Sequence, residues 1–378
     1  AQLRDELTYR SGGTRVVGGL DATARDDAFT YGGLFANSDV RELPAVDLEA
    51  FTKNERVRES VSRVTAALYL EGTIEPLEGV TLTPGLRIES YFLNGEPHVS
   101  FEPRFAGGWQ ITSGDYGTML KVAAGATSRP PDPDELAQAV LEGFTLAPQT
   151  ALDVQGGFDQ DLGGMATFST TLFSTWRANL TTRSALFPLP ERLGERAVYD
   201  GASENSYGLE ALVRGGVPGK WFAWLTYSLT RSEKLDGTSP YAIPYAYKAP
   251  DDTTHLLGVL GQTYLPWGFR LGGRYRIATG MPDDEVAGAL FDADTGRYEA
   301  VPAPKDLASF PLFQSLDVRV DWETTLDWFR LDLYADLANV NTVLGRPVEG
   351  TFYNFDFSQT SPHLGLPLIP AIGAKAIF

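Results

Sequence analysis

Arg270, Arg274 and Arg276 share one parity, as do Asp317, Arg319 and Asp321, and then Asp332 and Asp336. In extended segments, even spacing puts each set on one face of a strand. If the three segments are neighbours in a sheet, their guanidinium and carboxylate groups fall within cross-strand reach. The chemistry open to such a set is electrostatic. It either braces a wall as a charge ladder or lines a path whose selectivity it tunes. Arg87 and Glu89, with Glu102 and Arg104, form a smaller set with the same two readings.

Nothing in the sequence assembles a catalytic centre. His98, His255 and His363 have no ligand spacing to one another or to a carboxylate pair on the same strand face. There is no nucleophile elbow, phosphate-binding loop, dinucleotide glycine fingerprint or zinc-protease helix. Cysteine is absent, which removes thiolate ligands and thiol nucleophiles. Asp283, Asp284, Glu285, Asp292, Asp294 and Glu299 crowd one stretch. They read either as a solvated loop or as a hard-cation site, and their spacing matches no defined calcium loop. No enzyme activity and no cofactor are expected. With a net charge of −18, a nucleic-acid partner is not expected either.

The elements that must hold these residues follow from a period of two. Leu316, Val318, Val320 and Trp322 alternate with the Asp317–Asp321 set. Phe329, Leu331, Leu333, Ala335 and Leu337 alternate with Arg330, Asp332, Tyr334 and Asp336. Phe269, Leu271, Gly273, Tyr275 and Ile277 do so with the arginines. Segments of about ten residues, apolar on one face and charged on the other, are the pattern of a transmembrane strand. No apolar run reaches the roughly 18 residues a membrane helix needs, so a closed sheet is the spanning structure left. Tyr91, Phe92, Trp109, Trp176, Trp221, Trp267, Trp322 and Trp328 gather at strand ends, as aromatic belts do. The final segment alternates to its last residue, with Leu368, Pro370, Ile372, Ala374, Ala376 and Phe378 on one face.

Counting back from Phe378 predicts fifteen strands. They are 366–378, 328–340, 314–323, 268–279, 252–265, 220–232, 203–216, 164–178, 149–160, 117–126, 97–110, 80–92, 60–75, 13–24 and 2–10. Tight Gly- and Asp-bearing turns alternate with long connections, Asn94–Pro97 excepted. A short helix is expected within 132–142, capped by Asp132 or Asp134. The fold class is thus all-β, an antiparallel transmembrane β-barrel of about 14–16 strands. No linker divides residues 1–378, so one domain is expected.

Certain stretches carry a family likeness. Met119, Lys121, Ala123 and Gly125 lead into Ser128-Arg129-Pro130-Pro131-Asp132-Pro133-Asp134-Glu135-Leu136. Leu146-Ala147-Pro148-Gln149 and the strand Leu152 to Gly157 follow, with Gln149 where the pattern usually has Glu. Phe101-Glu102-Pro103-Arg104-Phe105, Ala278-Thr279-Gly280-Met281-Pro282, Leu316-Asp317-Val318-Arg319 and Asn339-Val340-Asn341 come in matching order. The chain resembles the C-terminal part of a TonB-dependent outer-membrane receptor. That resemblance implies part of a 22-stranded barrel in the bacterial outer membrane, with no counterpart here to the plug domain or the first seven strands. It implies nutrient uptake powered through TonB, with outer-membrane lipid, lipopolysaccharide, TonB and a plug as partners. Two other readings remain: a structural or assembly component bound to other envelope proteins, and a plugless passive pore.

Overall fold

The structure, a computed structural model, describes residues 1–33, 55–93, 96–141, 145–183, 198–237, 245–283, 285–292, 297–305 and 308–378. The wall begins with β1 (Gln2–Ser11), β2 (Thr14–Gly33), β3 (Glu55–Leu77), β4 (Val80–Leu93) and β5 (Glu96–Thr112). It continues with β6 (Thr118–Arg129), helix α1 (Pro133–Leu141), β7 (Gln149–Leu162), β8 (Ala166–Arg183), β9 (Val198–Val217) and β10 (Trp221–Leu235). A two-residue strand, β11 (Tyr247–Lys248), pairs with β10 before β12 (His255–Tyr264) and β13 (Phe269–Ala278). The next connection carries β14 (Pro282–Asp283), β15 (Val286–Asp292), β16 (Arg297–Pro302) and β17 (Ala308–Ser309). Then come β18 (Phe313–Leu326), β19 (Phe329–Ala338), β20 (Val348–Tyr353), β21 (Thr360–Leu364) and β22 (Ile369–Ile377).

Among the described residues sixteen strands form one antiparallel sheet: fifteen in chain order, from β1 through β10, then β12, β13, β18, β19 and β22, with β11 beside β10. The sheet is not closed: among the described residues β1 pairs with β2 and β22 with β19, but not with each other. The fifteen expected strands are all present, with shifted ends. The last strand stops at Ile377 rather than Phe378. β2 and β3 run further toward the long connections than alternation suggested, paired from Arg15↔Thr73 to Gly33↔Glu55. There Arg25, Asp26 and Asp27 end the apolar alternation, yet the backbone ladder continues without it.

Register turns alternation into rows. Leu20, Leu68, Ile88 and Phe101 lie opposite one another across β2 to β5. Leu68 and Phe101 are each 66% exposed, so an apolar row lies open on this face rather than in a core. The adjacent rows carry the charges. At the tight-turn end, Gly79 takes φ +75°, a left-handed conformation that L side chains rarely adopt, and its carbonyl accepts from Gln110 N–H at 2.7 Å. Trp267 adopts φ +62° in the Pro266–Gly268 turn, and its carbonyl accepts from the Trp322 indole at 3.1 Å.

The long connections hold structure of their own. The expected helix α1 is present, and its start is tied by Glu135, whose carboxylate accepts from Asp132 N–H at 3.1 Å, while Asp132 O accepts from Leu136 N–H at 3.0 Å. Leu136 and Ala139 are buried. Stretch 281–312, expected to be one loop, instead pairs β14 with β17 and β15 with β16. Likewise β20 pairs with β21 inside 341–365.

Candidate functional site

The larger charged set assembles on β13, β18 and β19, because register brings three polar rows together. Arg274 lies opposite Asp317 and Arg270 opposite Asp321. The Arg274 Nε donates to Asp317 at 2.9 Å, and Arg270 approaches Asp321 at 3.8 Å. Arg319 is the busiest node. Its Nη2 lies 2.8 Å from Asp321 and its Nη1 3.5 Å from Asp336, its register partner. Its guanidinium also sits 4.3 Å from the centroid of the Tyr334 ring. Tyr334 in turn lies over Gly373 of β22, where any Cβ would strike the ring.

Arg276 departs from the expected ladder. Its row partner is Ser315, not a carboxylate, and its guanidinium lies 5.7 Å from the centroid of the Phe313 ring. Asp332 approaches Arg330 at 3.6 Å on its own strand and lies opposite Lys375 on the next. Arg330 also reaches Glu323 at 3.5 Å. Alternation gave the face, but not these partners.

Charges nearly cancel across this patch. Arg270, Arg274, Arg276, Arg319, Arg330 and Lys375 stand against Asp317, Asp321, Glu323, Asp332 and Asp336. A near-neutral mosaic of this kind adds little net charge to the face it lines.

The smaller set also comes together. Arg87 Nε donates to Glu89 at 2.7 Å and lies 3.9 Å from Glu102. Glu102 is buried, accepting from the Ser100 hydroxyl at 3.0 Å and from Ser128 N–H at 3.1 Å. Arg104 turns away from this group and pairs with Glu71 at 3.0 Å, two strands off. It gets there across Gly85, its row neighbour, where a Cβ would fall within 2.8 Å of Arg104 Nε. Glu71 was missed in the sequence; the signal available was the glycine between the two rows. Lys121 and Asp159, 2.7 Å apart, form a further pair on β6 and β7.

Two asparagines bind the final long connection to the wall. Asn341 accepts from Leu316 N–H at 2.8 Å and donates to Gln314 O at 2.8 Å. Asn339 N–H donates to Asp317 at 2.9 Å.

A family model described as TonB dependent receptor-like, beta-barrel matches residues 2–340. The chain belongs to the TonB-dependent receptor β-barrel family. No curated protein sequence matches it. Solved structures do. The outer membrane transporter YddB from Escherichia coli aligns with a TM-score of 0.68 at 11% identity, covering 100% of this chain and 54% of that one. The pyoverdine outer membrane receptor FpvA from Pseudomonas aeruginosa aligns at 0.66 and 14%, covering 100% and 52%. The ferric citrate transporter FecA aligns at 0.65 and 15%, covering 100% and 54%. At such identities the likeness is one of fold, and the chain spans about half the length of these solved relatives.

Within this receptor barrel, Gln149 is buried and paired across the β6–β7 ladder. Arg129, opposite in register, donates its Nε to Gln149 at 3.1 Å. His255 lies 2.9 Å from the Tyr227 hydroxyl through Nδ1, with the rings stacked at 6.2 Å. His363 packs against Phe352 at 4.8 Å. Among the described residues no three His, Asp or Glu side chains are grouped to hold a metal. Of the acidic stretch, Asp284 and Asp294 lie outside the described residues, while Asp283 accepts from the Thr351 hydroxyl at 3.2 Å.

Proposed function

We propose that this chain is the wall of an energy-coupled transporter in the bacterial outer membrane. The family match over residues 2–340 carries the reading. On it, the apolar rows face outer-membrane lipid and lipopolysaccharide, and the charged rows face the lumen. Arg270, Arg274, Arg276, Asp317, Arg319, Asp321, Asp332 and Asp336, with Arg87, Glu89, Glu102 and Arg104, then line the substrate path or brace an occluding plug. The near-balance of charge favours bracing. A plug and TonB complete the machine, from the same polypeptide or another. Residues 1–378 act as a single barrel domain in it.

Iron chelates are the first cargoes to test, since FpvA was solved bound to pyoverdine and FecA transports ferric citrate. The experiment is uptake of radiolabelled ferric chelates by cells expressing the protein, with and without a proton-motive-force uncoupler. Accumulation that collapses with the uncoupler supports the reading. Accumulation that persists unchanged removes energy coupling and leaves a passive pore.

A further inference from the structure

Two long connections on the same side of the sheet each fold back into a hairpin, β15–β16 and β20–β21. They come from different parts of the chain, separated by β18 and β19. Yet they touch at three chemically distinct points. Val286 N–H, at the base of β15, donates to the Tyr353 hydroxyl at 3.1 Å. The Thr351 hydroxyl donates to Asp283 at 3.2 Å. Tyr298 meets Phe355 edge to face, with centroids 5.9 Å apart.

Each hairpin is also tied at its own root. The first rests on the β14–β17 pair. The second is closed by Arg346, whose guanidinium donates to the Gly365 carbonyl at 2.7 Å and the Leu364 carbonyl at 3.0 Å. Asn341 then fixes the start of that connection to β18. Together the hairpins carry an aromatic surface out of keeping with ordinary loops: Phe355 is 81% exposed, and Phe291 and Phe352 are 58% and 57% exposed.

We infer that the two hairpins form one body, so that the connections between β13 and β18 and between β19 and β22 move together. The backbone tether to the wall is separate for each, and among the described residues each of the three contacts uses a side chain of the second connection. Tyr353 and Thr351 both lie on β20, and both reach the Asp283–Val286 segment. Any displacement of one hairpin must therefore break hydrogen bonds to the other or carry it along. The inference concerns the hairpins themselves and holds whether or not the barrel is energised.

The absence of cysteine makes the test direct. Spin labels are placed at A287C and S361C, both exposed and outside the three contacts, in the full-length protein in lipid vesicles. The distance distribution between them is read by pulsed electron resonance. A narrow distribution is expected in the parent, with the population outside the main peak rising about five-fold for each contact removed in Y353F and T351V. A second label pair on β18 and β19 reports that the wall is intact in every variant. A distribution equally broad in parent and variants overturns the inference. So does one that stays narrow in the Y353F/T351V/Y298A triple variant.

Discussion

Replacing Arg319 by alanine tests the charged patch at its busiest node. Arg319 contacts Asp321 at 2.8 Å, Asp336 at 3.5 Å and the Tyr334 ring at 4.3 Å. Its side chain is 44% exposed, so each ion pair belongs in the solvent-screened range of about 0.2–1 kcal/mol. Coulomb's law agrees: at this shorter separation, in water-like surroundings, the attraction is roughly 1.5 kcal/mol before any entropy cost. The stacking on Tyr334 adds about 0.5–1 kcal/mol. The loss should not grow beyond this, because neither carboxylate is stranded. Asp321 keeps Arg270 at 3.8 Å, and Asp336 is 37% exposed to solvent. The expected cost is therefore about 1–2 kcal/mol. Equilibrium urea unfolding in lipid vesicles, followed by tryptophan fluorescence, measures it. Arg319→Lys retains the charge but loses the planar fork, and should recover about half. An alanine variant within about 0.3 kcal/mol of the parent, or a lysine variant equal to it, would refute the reasoning.

Three further outcomes follow from the same geometry. Leu333, 38% exposed on the apolar face, should cost about 2–4 kcal/mol when changed to Arg, whereas Thr171→Arg on the polar face should cost little; equal costs would mean the faces are misassigned. Asn341→Ala strands Leu316 N–H and Gln314 O, so it should cost about 1–3 kcal/mol and speed amide exchange at Leu316, with Asn341→Asp between the two. Gly157→Ala drives a Cβ into the Thr170 carbonyl and should cost about 1–3 kcal/mol, whereas Gly72→Ala, with open space around it, should be far milder in the same unfolding assay.

The wall was legible in the sequence because two solvents write on alternate residues. Leu316 to Trp322 and Phe329 to Leu337 repeat that signal with little noise, and register follows once one face is fixed. It fades at Arg25, Asp26 and Asp27, where polar residues fall on both faces, while the backbone pairing of β2 and β3 runs on past that point. The hairpins β15–β16 and β20–β21 were not legible, since short strands in open solvent need no alternation. At the site, the residues were readable and their pairings were not. Long side chains choose among row, diagonal and same-strand partners within a few ångströms. Arg319 keeps its register partner Asp336 but sits closer to Asp321, and Arg276 takes an aromatic ring instead of an acid.

Gly85 beneath Arg104 and Gly373 beneath Tyr334 have a common effect. Each leaves a vacant lane in which a long side chain reclines along the wall instead of jutting from it. A single methyl group in either lane would force the side chain above it to shift.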